Sequence, residues 1–121
     1  MKIGALLGGA LLVTVLPVDA GGKLAMRVSP SVSYEPASVT IQLSVEPDAG
    51  NRALAVVAES TEYFRSSQVE LDGRRAPRTS VFQYRGLPAG EYFVRGALLG
   101  SRGETLATVS HNVRVVGKGL R

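Results

Sequence analysis

Val39, Ile41, Leu43 and Val45 alternate with Thr40, Gln42 and Ser44. Successive side chains of an extended strand point to opposite faces, so this stretch buries one face and wets the other. Leu24, Met26 and Val28 alternate in the same way with Ala25 and Arg27. An apolar repeat of two cannot line one side of a helix, whose repeat is 3.6. The chain is therefore bound to a β-fold, in which half-buried sheets must cover one another.

The rest of the chain follows the same rule. Ala53–Ala58 is apolar on both faces and suits a central strand. Gln68–Leu71 predicts a short strand ending at Asp72-Gly73, a strong turn dipeptide. Thr79–Arg85 is the next strand, with Phe82 and Tyr84 on one face. Tyr92–Leu99 follows, and Thr105–Val116 is long enough to require a bulge or a bend. Pro30 and Pro36 bracket one connection, and residues 46–51 form a loop. Gly86–Gly90 forms a turn, and Gly100–Gly103 closes a hairpin. Tyr63 and Phe64 lie in a segment that the pattern does not assign. Residues 117–121 read as a polar tail. No segment after residue 20 carries an apolar stripe at helical spacing. Seven short strands at turn-marked intervals predict a seven-stranded antiparallel immunoglobulin-like β-sandwich, with its core in residues 23–116. No repeat or linker divides residues 21–121, which read as one domain.

The first twenty residues differ from the rest. Met1-Lys2 is a short positive start. Ile3–Val18 is apolar apart from Thr14 and carries Gly4, Gly8, Gly9 and Pro17. Val18-Asp19-Ala20 offers a cleavage site after Ala20, so residues 1–20 read as a secretory signal peptide. The apolar run is shorter than the roughly 20 residues that a spanning helix needs. The expected location is periplasmic or extracellular in a bacterium, with no membrane insertion once the leader is removed. The chain contains no cysteine. A lipidated cysteine, a thiol nucleophile, a zinc–thiolate site and an iron–sulfur cluster are therefore excluded, and stability must come from burial and backbone pairing. Lys and Arg number 14 against 10 Asp and Glu, a net charge of +4. Loss of Lys2 with Asp19 leaves that balance unchanged. This is mildly basic, short of a nucleic-acid signature, and compatible with anionic surfaces.

Residues 82–94, Phe-Gln-Tyr-Arg-Gly-Leu-Pro-Ala-Gly-Glu-Tyr-Phe-Val, resemble the E–F corner of bacterial secreted immunoglobulin-like and fibronectin type III-like domains. They are also similar to the Leu-Pro-x-Gly-x-Tyr turn of carboxypeptidase-regulatory-like and transthyretin-like modules. The resemblance implies that Leu87 plugs the end of the core and Gly90 turns the chain. Tyr92 would then pack its ring inward and bond nearby backbone, as in a tyrosine corner. These folds host many activities, so the resemblance names none.

Chemistry-bearing residues are sparse. His111 is the only histidine, and no Gly-x-Ser-x-Gly elbow accompanies it. A hydrolase would have to place it in a cleft beside an acid and a hydroxyl. One histidine without cysteine makes no transition-metal site unless carboxylates gather around it. Glu46 and Asp48 share a loop that a calcium ion or plain solvent would suit. Glu59 and Glu62 lack a partner base. Arg74, Arg75 and Arg78 form the tightest basic cluster, with Arg65 and Arg85 as candidates to join it. The cluster reads either as an anion-binding patch or as a solvated loop guarding a sheet edge. Tyr63 and Phe64 are adjacent and cannot both face inward on an extended segment. One is either an exposed anchor or a cap on an open end.

The expected function is that of an exported, non-enzymatic binding module. Its partner would be an envelope protein or an anionic surface polymer, bound through Tyr63, Phe64, Arg65, Arg74, Arg75 and Arg78. No nucleic acid, cofactor or metal is expected. The alternative is an assembly subunit, self-associating weakly through an exposed edge at Leu24–Val28 or Thr105–Val116. A small hydrolase using His111 is the third reading.

Overall fold

The computed structural model describes residues 18–20 and 23–118. The leader expected over residues 1–20 therefore lies outside the described residues except for its last three. Nine strands are present among the described residues: β1 (Val18–Ala20), β2 (Leu24–Ser29), β3 (Val32–Tyr34), β4 (Ala37–Val45), β5 (Ala53–Glu59), β6 (Phe64–Glu70), β7 (Thr79–Leu87), β8 (Gly90–Leu99) and β9 (Thr105–Val116). They form a four-stranded sheet in the order β1-β2-β4-β7 and a five-stranded sheet in the order β3-β9-β8-β5-β6. All pairs are antiparallel except β3 with β9.

The expected count of seven strands, all antiparallel, is corrected by two three-residue strands. β1 pairs with Leu24–Met26. β3 lies between Pro30 and Pro36, where the sequence reads as a connection, and runs parallel to Arg114–Val116. The strand expected at Gln68–Leu71 starts four residues earlier, at Phe64. The Asp72-Gly73 turn does not close a hairpin. A single 3-10 turn over Gly73–Arg75 carries the chain from β6 in one sheet to β7 in the other.

The core lies between the sheets and is built by the alternation. Leu24, Met26 and Val28 of β2 and Val39, Ile41 and Leu43 of β4 come from the four-stranded sheet. Leu54, Val56, Val94, Leu98, Val109 and Val113 come from the five-stranded sheet. Burying each such side chain contributes about 1.5–3 kcal/mol, the main favourable term in a chain without cross-links. Gly96 of β8 leaves room for side chains of both sheets. A Cβ built there would lie 2.9 Å from Leu43 Cδ2 and 3.3 Å from Val109 Cγ2. The long β9 accommodates its length by a register shift between Thr105 and Ala107.

The β7–β8 connection closes one end. Leu87 and Tyr92 are each 2% exposed. The Tyr92 hydroxyl donates to the Pro88 carbonyl at 2.7 Å. Its ring meets Tyr63 edge-on, with centroids 6.1 Å apart. Glu35 ties the same end together: its carboxylate accepts from the Ala89 N–H at 3.1 Å and the Lys118 N–H at 3.2 Å.

Two outcomes follow for stability. Gly96→Val must push Leu43 and Val109 aside, and overpacking of this kind costs about 1–3 kcal/mol. Urea unfolding of the full chain measures it, and an unchanged midpoint would contradict the close approach. Tyr92→Phe removes the corner hydrogen bond and is expected to cost about 1 kcal/mol.

The Tyr92 phenol also has a pH signature. Burial holds its pKa above the ordinary 10.0, the Ser60 hydroxyl offsets part of that rise, and Tyr63 adds to it. The native state therefore holds this proton more tightly than the unfolded chain does. That contribution is complete below pH 10.0 and lost as pH rises through the folded value. The parent chain should lose stability above that pH more steeply than Tyr92→Phe. Parallel curves would contradict the assignment.

Candidate functional site

The two sides of the molecule are closed differently. On one side β2 lies between β1 and β4, and β9 lies between β8 and β3. The edges expected at Leu24–Val28 and Thr105–Val116 are thus flanked, β2 along Leu24–Met26 and β9 at its C-terminal end. On the other side both sheets end: β6 is the edge of one and β7 the edge of the other. The two are bridged by side chains. The Tyr84 hydroxyl of β7 donates to Ser67 Oγ of β6 at 2.9 Å. The Arg65 guanidinium sits 5.0 Å from the Tyr84 ring centroid, a cation–π contact.

This open side gathers most of the candidate residues. Tyr63 turns inward against Tyr92, and Phe64, the first residue of β6, is 64% exposed. Phe64 stands on the outer face of the five-stranded sheet in a row with Glu59 and Phe93. Arg95 covers part of that row, lying 5.4 Å from the Phe93 ring centroid and 3.9 Å from Glu59. The outer face of the other sheet is mostly polar, with Arg27, Thr40, Gln42 and Ser44 beside an exposed Val81.

Arg74, Arg75 and Arg78 are exposed on the crossing from β6 to β7. Gly73 sets their position. Its φ is +54°, its N–H donates to the Asn51 carbonyl at 3.1 Å, and a Cβ there would lie 3.2 Å from the Ala49 carbonyl oxygen. Arg65 stands near the opposite end of β6, five strand residues before Glu70, or ~17 Å. The structure therefore brings the arginines to one side of the molecule but not into one cluster. Arg85 joins that side on β7. Among the described residues, ion pairs join Arg95 to Glu59 and Arg114 to Glu91. Among the described residues, none of the five arginines of the open side has a carboxylate at ion-pairing distance.

The other candidates are arranged otherwise. His111 Nε2 lies 3.1 Å from Ser31 Oγ, and no carboxylate completes a triad there among the described residues. The loop at 46–51 satisfies itself. Asp48 Oδ1 accepts from the Gly50 N–H at 2.8 Å, and Asn51 Nδ2 donates to the Glu46 carbonyl at 2.8 Å. A cleft of about 220 Å³ lies beside it, lined in part by Lys23, Glu46, Asp48 and Glu104. Glu104 Oε1 already accepts from the Arg102 N–H at 2.8 Å. Among the described residues, no three His, Cys, Asp or Glu side chains are placed to hold a metal ion.

No protein-family model matches the chain, and no curated protein matches it. Solved structures do match in fold. Superoxide reductase (neelaredoxin) from Ignicoccus hospitalis aligns with a TM-score of 0.54 at 11% identity, over 77% of this chain and 80% of that one. A variant of the same enzyme gives 0.56 at 11% identity, over 78% and 80%. The CARDB domain of a Pyrococcus furiosus protein, solved in complex with di-metal ions, gives 0.50 at 13% identity, over 88% and 100%. At such identities the likeness shows a shared all-β fold and transfers no residue's role. It does correct one expectation. The sequence predicts no enzyme, yet the fold is one that an enzyme carries, so the architecture does not exclude catalysis.

Proposed function

We propose that this chain is an exported immunoglobulin-like β-sandwich that works as an interaction module. It would recognise an envelope protein or an anionic surface polymer through its open β6–β7 side. One observation carries the reading. Arg65, Arg74, Arg75, Arg78 and Arg85 are all brought to this side, and none is engaged by a carboxylate among the described residues. Arg65 rests on the Tyr84 ring and Arg85 donates to Gln83 Oε1 at 3.1 Å, and guanidinium groups without a carboxylate are planar, multiply donating and weakly hydrated, which suits them to bind oxyanions of a partner. The crossing between the sheets at the tyrosine corner, where Tyr92 bonds the Pro88 carbonyl, supports the immunoglobulin-like assignment.

Retention of the full chain on surfaces bearing polyglutamate and polyuronate tests the reading. Replacing Arg74, Arg75 and Arg78 together by Ser should abolish retention. Removing the same charge elsewhere, at Arg27, Arg102 and Lys118, should leave most of it. Equal loss in both variants would reduce the reading to net charge alone.

Export would release a protein beginning at Gly21, and the intact mass of the secreted form checks this. A mass retaining Met1 would contradict cleavage. A second reading, assembly of copies through a sheet edge, is favoured by one observation. Cleavage after Ala20 would remove β1 and leave Leu24–Met26 of β2 without its neighbour on that side. The cleaved form should then sediment faster as concentration rises, and a constant sedimentation coefficient would remove this reading.

A further inference from the structure

The free backbone of β6 has a definite polarity. At one end the Ser60 N–H donates to the Tyr63 carbonyl at 2.8 Å, and at the other the Leu71 N–H donates to the Arg52 carbonyl at 2.8 Å. Between them the register runs without a shift from Glu59↔Phe64 to Ala53↔Glu70. Hydrogen-bonded and non-bonded pairs alternate in an antiparallel ladder. Tyr63 and Leu71 thus place Arg65, Ser67 and Val69 in bonded pairs with β5. The N–H and C=O groups of Phe64, Ser66, Gln68 and Glu70 must point away from the sheet. Among the described residues no strand meets them.

We propose that β6 is a docking edge for an extended acidic polypeptide, which adds to the five-stranded sheet as one more antiparallel or parallel strand. The proposal rests on the interaction-module reading and specifies its partner and mode. Three features favour it. The edge is seven residues long and carries no proline, lysine or bulge to block pairing. Its middle is Ser66-Ser67-Gln68, small or flexible side chains that let a second backbone approach. The charge around it is complementary to an acidic chain: five arginines stand on β6, on the crossing that leaves it and on β7, against Glu62, Glu70 and Asp72 on the same stretch. Backbone pairing supplies affinity in such strand addition, and the flanking charges select the partner. Phe64, exposed at the start of the edge, offers an apolar contact to the incoming strand.

The probe is a short synthetic peptide in which Glu alternates with Val and Thr, with a Lys-for-Glu version as control. Titration into the isotope-labelled full chain should shift the amides of Phe64, Ser66, Gln68 and Glu70 most, and the Lys version should shift none of them. Ser66→Pro with Gln68→Pro removes two outward N–H groups and leaves the bonded pairs with β5 intact. Affinity should fall about tenfold or more. The Arg74, Arg75 and Arg78 replacement by Ser should weaken binding and flatten its salt dependence.

Binding that survives the two prolines but fails without the arginines would overturn strand addition and leave the arginine surface standing. Binding of polyuronate with no response to the acidic peptide would overturn it in favour of a polysaccharide. No response to either probe would overturn both readings. Should the proline variant fail to fold, the amide-shift map of the parent chain decides alone: shifts centred on the loop at residues 74–78 rather than on β6 would refute the proposal.

Discussion

Leu43 reaches across the core into the space that Gly96 leaves empty, and any larger side chain there would have to push Leu43 or the facing sheet aside. A chain without cysteine has no covalent means of holding its layers together. It must keep the sheets near packing distance along their whole length, because dispersion contacts are lost once a gap opens. The branched side chains of β2 and β4 therefore meet Val56, Val94, Val109 and Val113 across one thin layer. The tyrosine corner seals one end of that layer with a buried phenol bonded to backbone. The self-satisfied loop at 46–51 lies at the crossing from β4 to β5, its buried Asn51 bonded both to the Glu46 carbonyl and to Gly73. The crossings from β4 to β5, β6 to β7 and β7 to β8 are thus fixed by a polar side chain or a constrained glycine rather than by a cross-link.

The sequence made these layers legible wherever one face was buried and the other wet. β2, β4, β7 and β8 announce themselves by alternation because burial alternates along them. β6 does not, since nearly every residue from Phe64 to Glu70 is exposed. An edge strand facing solvent on one side and a gap on the other carries no hydrophobic period, so only its Val69 end was visible. β3 escaped for another reason. Three residues between prolines cannot express a pattern, and their partners, Arg114–Val116, lie 82 positions further along the chain. Asp72-Gly73 is locally a hairpin signal, but Gly73 meets Ala49 and Asn51 from a distant loop, and that tertiary contact turns the chain across the core.

The candidate site was legible in its residue types and illegible in its geometry. Tyr63-Phe64 follows from side-chain alternation alone: one ring goes to Tyr92 and the other to solvent. The arginines were visible as a cluster only where they are neighbours in sequence. That Arg65 stands a strand's length from Arg74, and that Arg85 comes to the same side from another sheet, depends on which strands are edges. The sheet order that decides this is a long-range property. It depends on β5 choosing β8 as its inner neighbour and leaving β6 outside.

The contact between Arg65 and Tyr84 shows how such an edge can be kept open without becoming a hazard. An inward-pointing charge on an edge strand opposes indiscriminate pairing, because a partner strand would have to desolvate it. Here the charge rests on an aromatic face instead of a carboxylate, and the Tyr84 hydroxyl is itself held by Ser67. A cation–π contact at a partly open site is worth about 0.5–1 kcal/mol, less than a charge-assisted bond to a carboxylate. On the proposed docking mode, an acidic ligand would draw Arg65 off Tyr84 at small cost, whereas an apolar or basic strand would gain its backbone pairing only by desolvating or opposing that charge. The same pair that bridges the two edges would thus select by charge among the partners that a bare edge accepts.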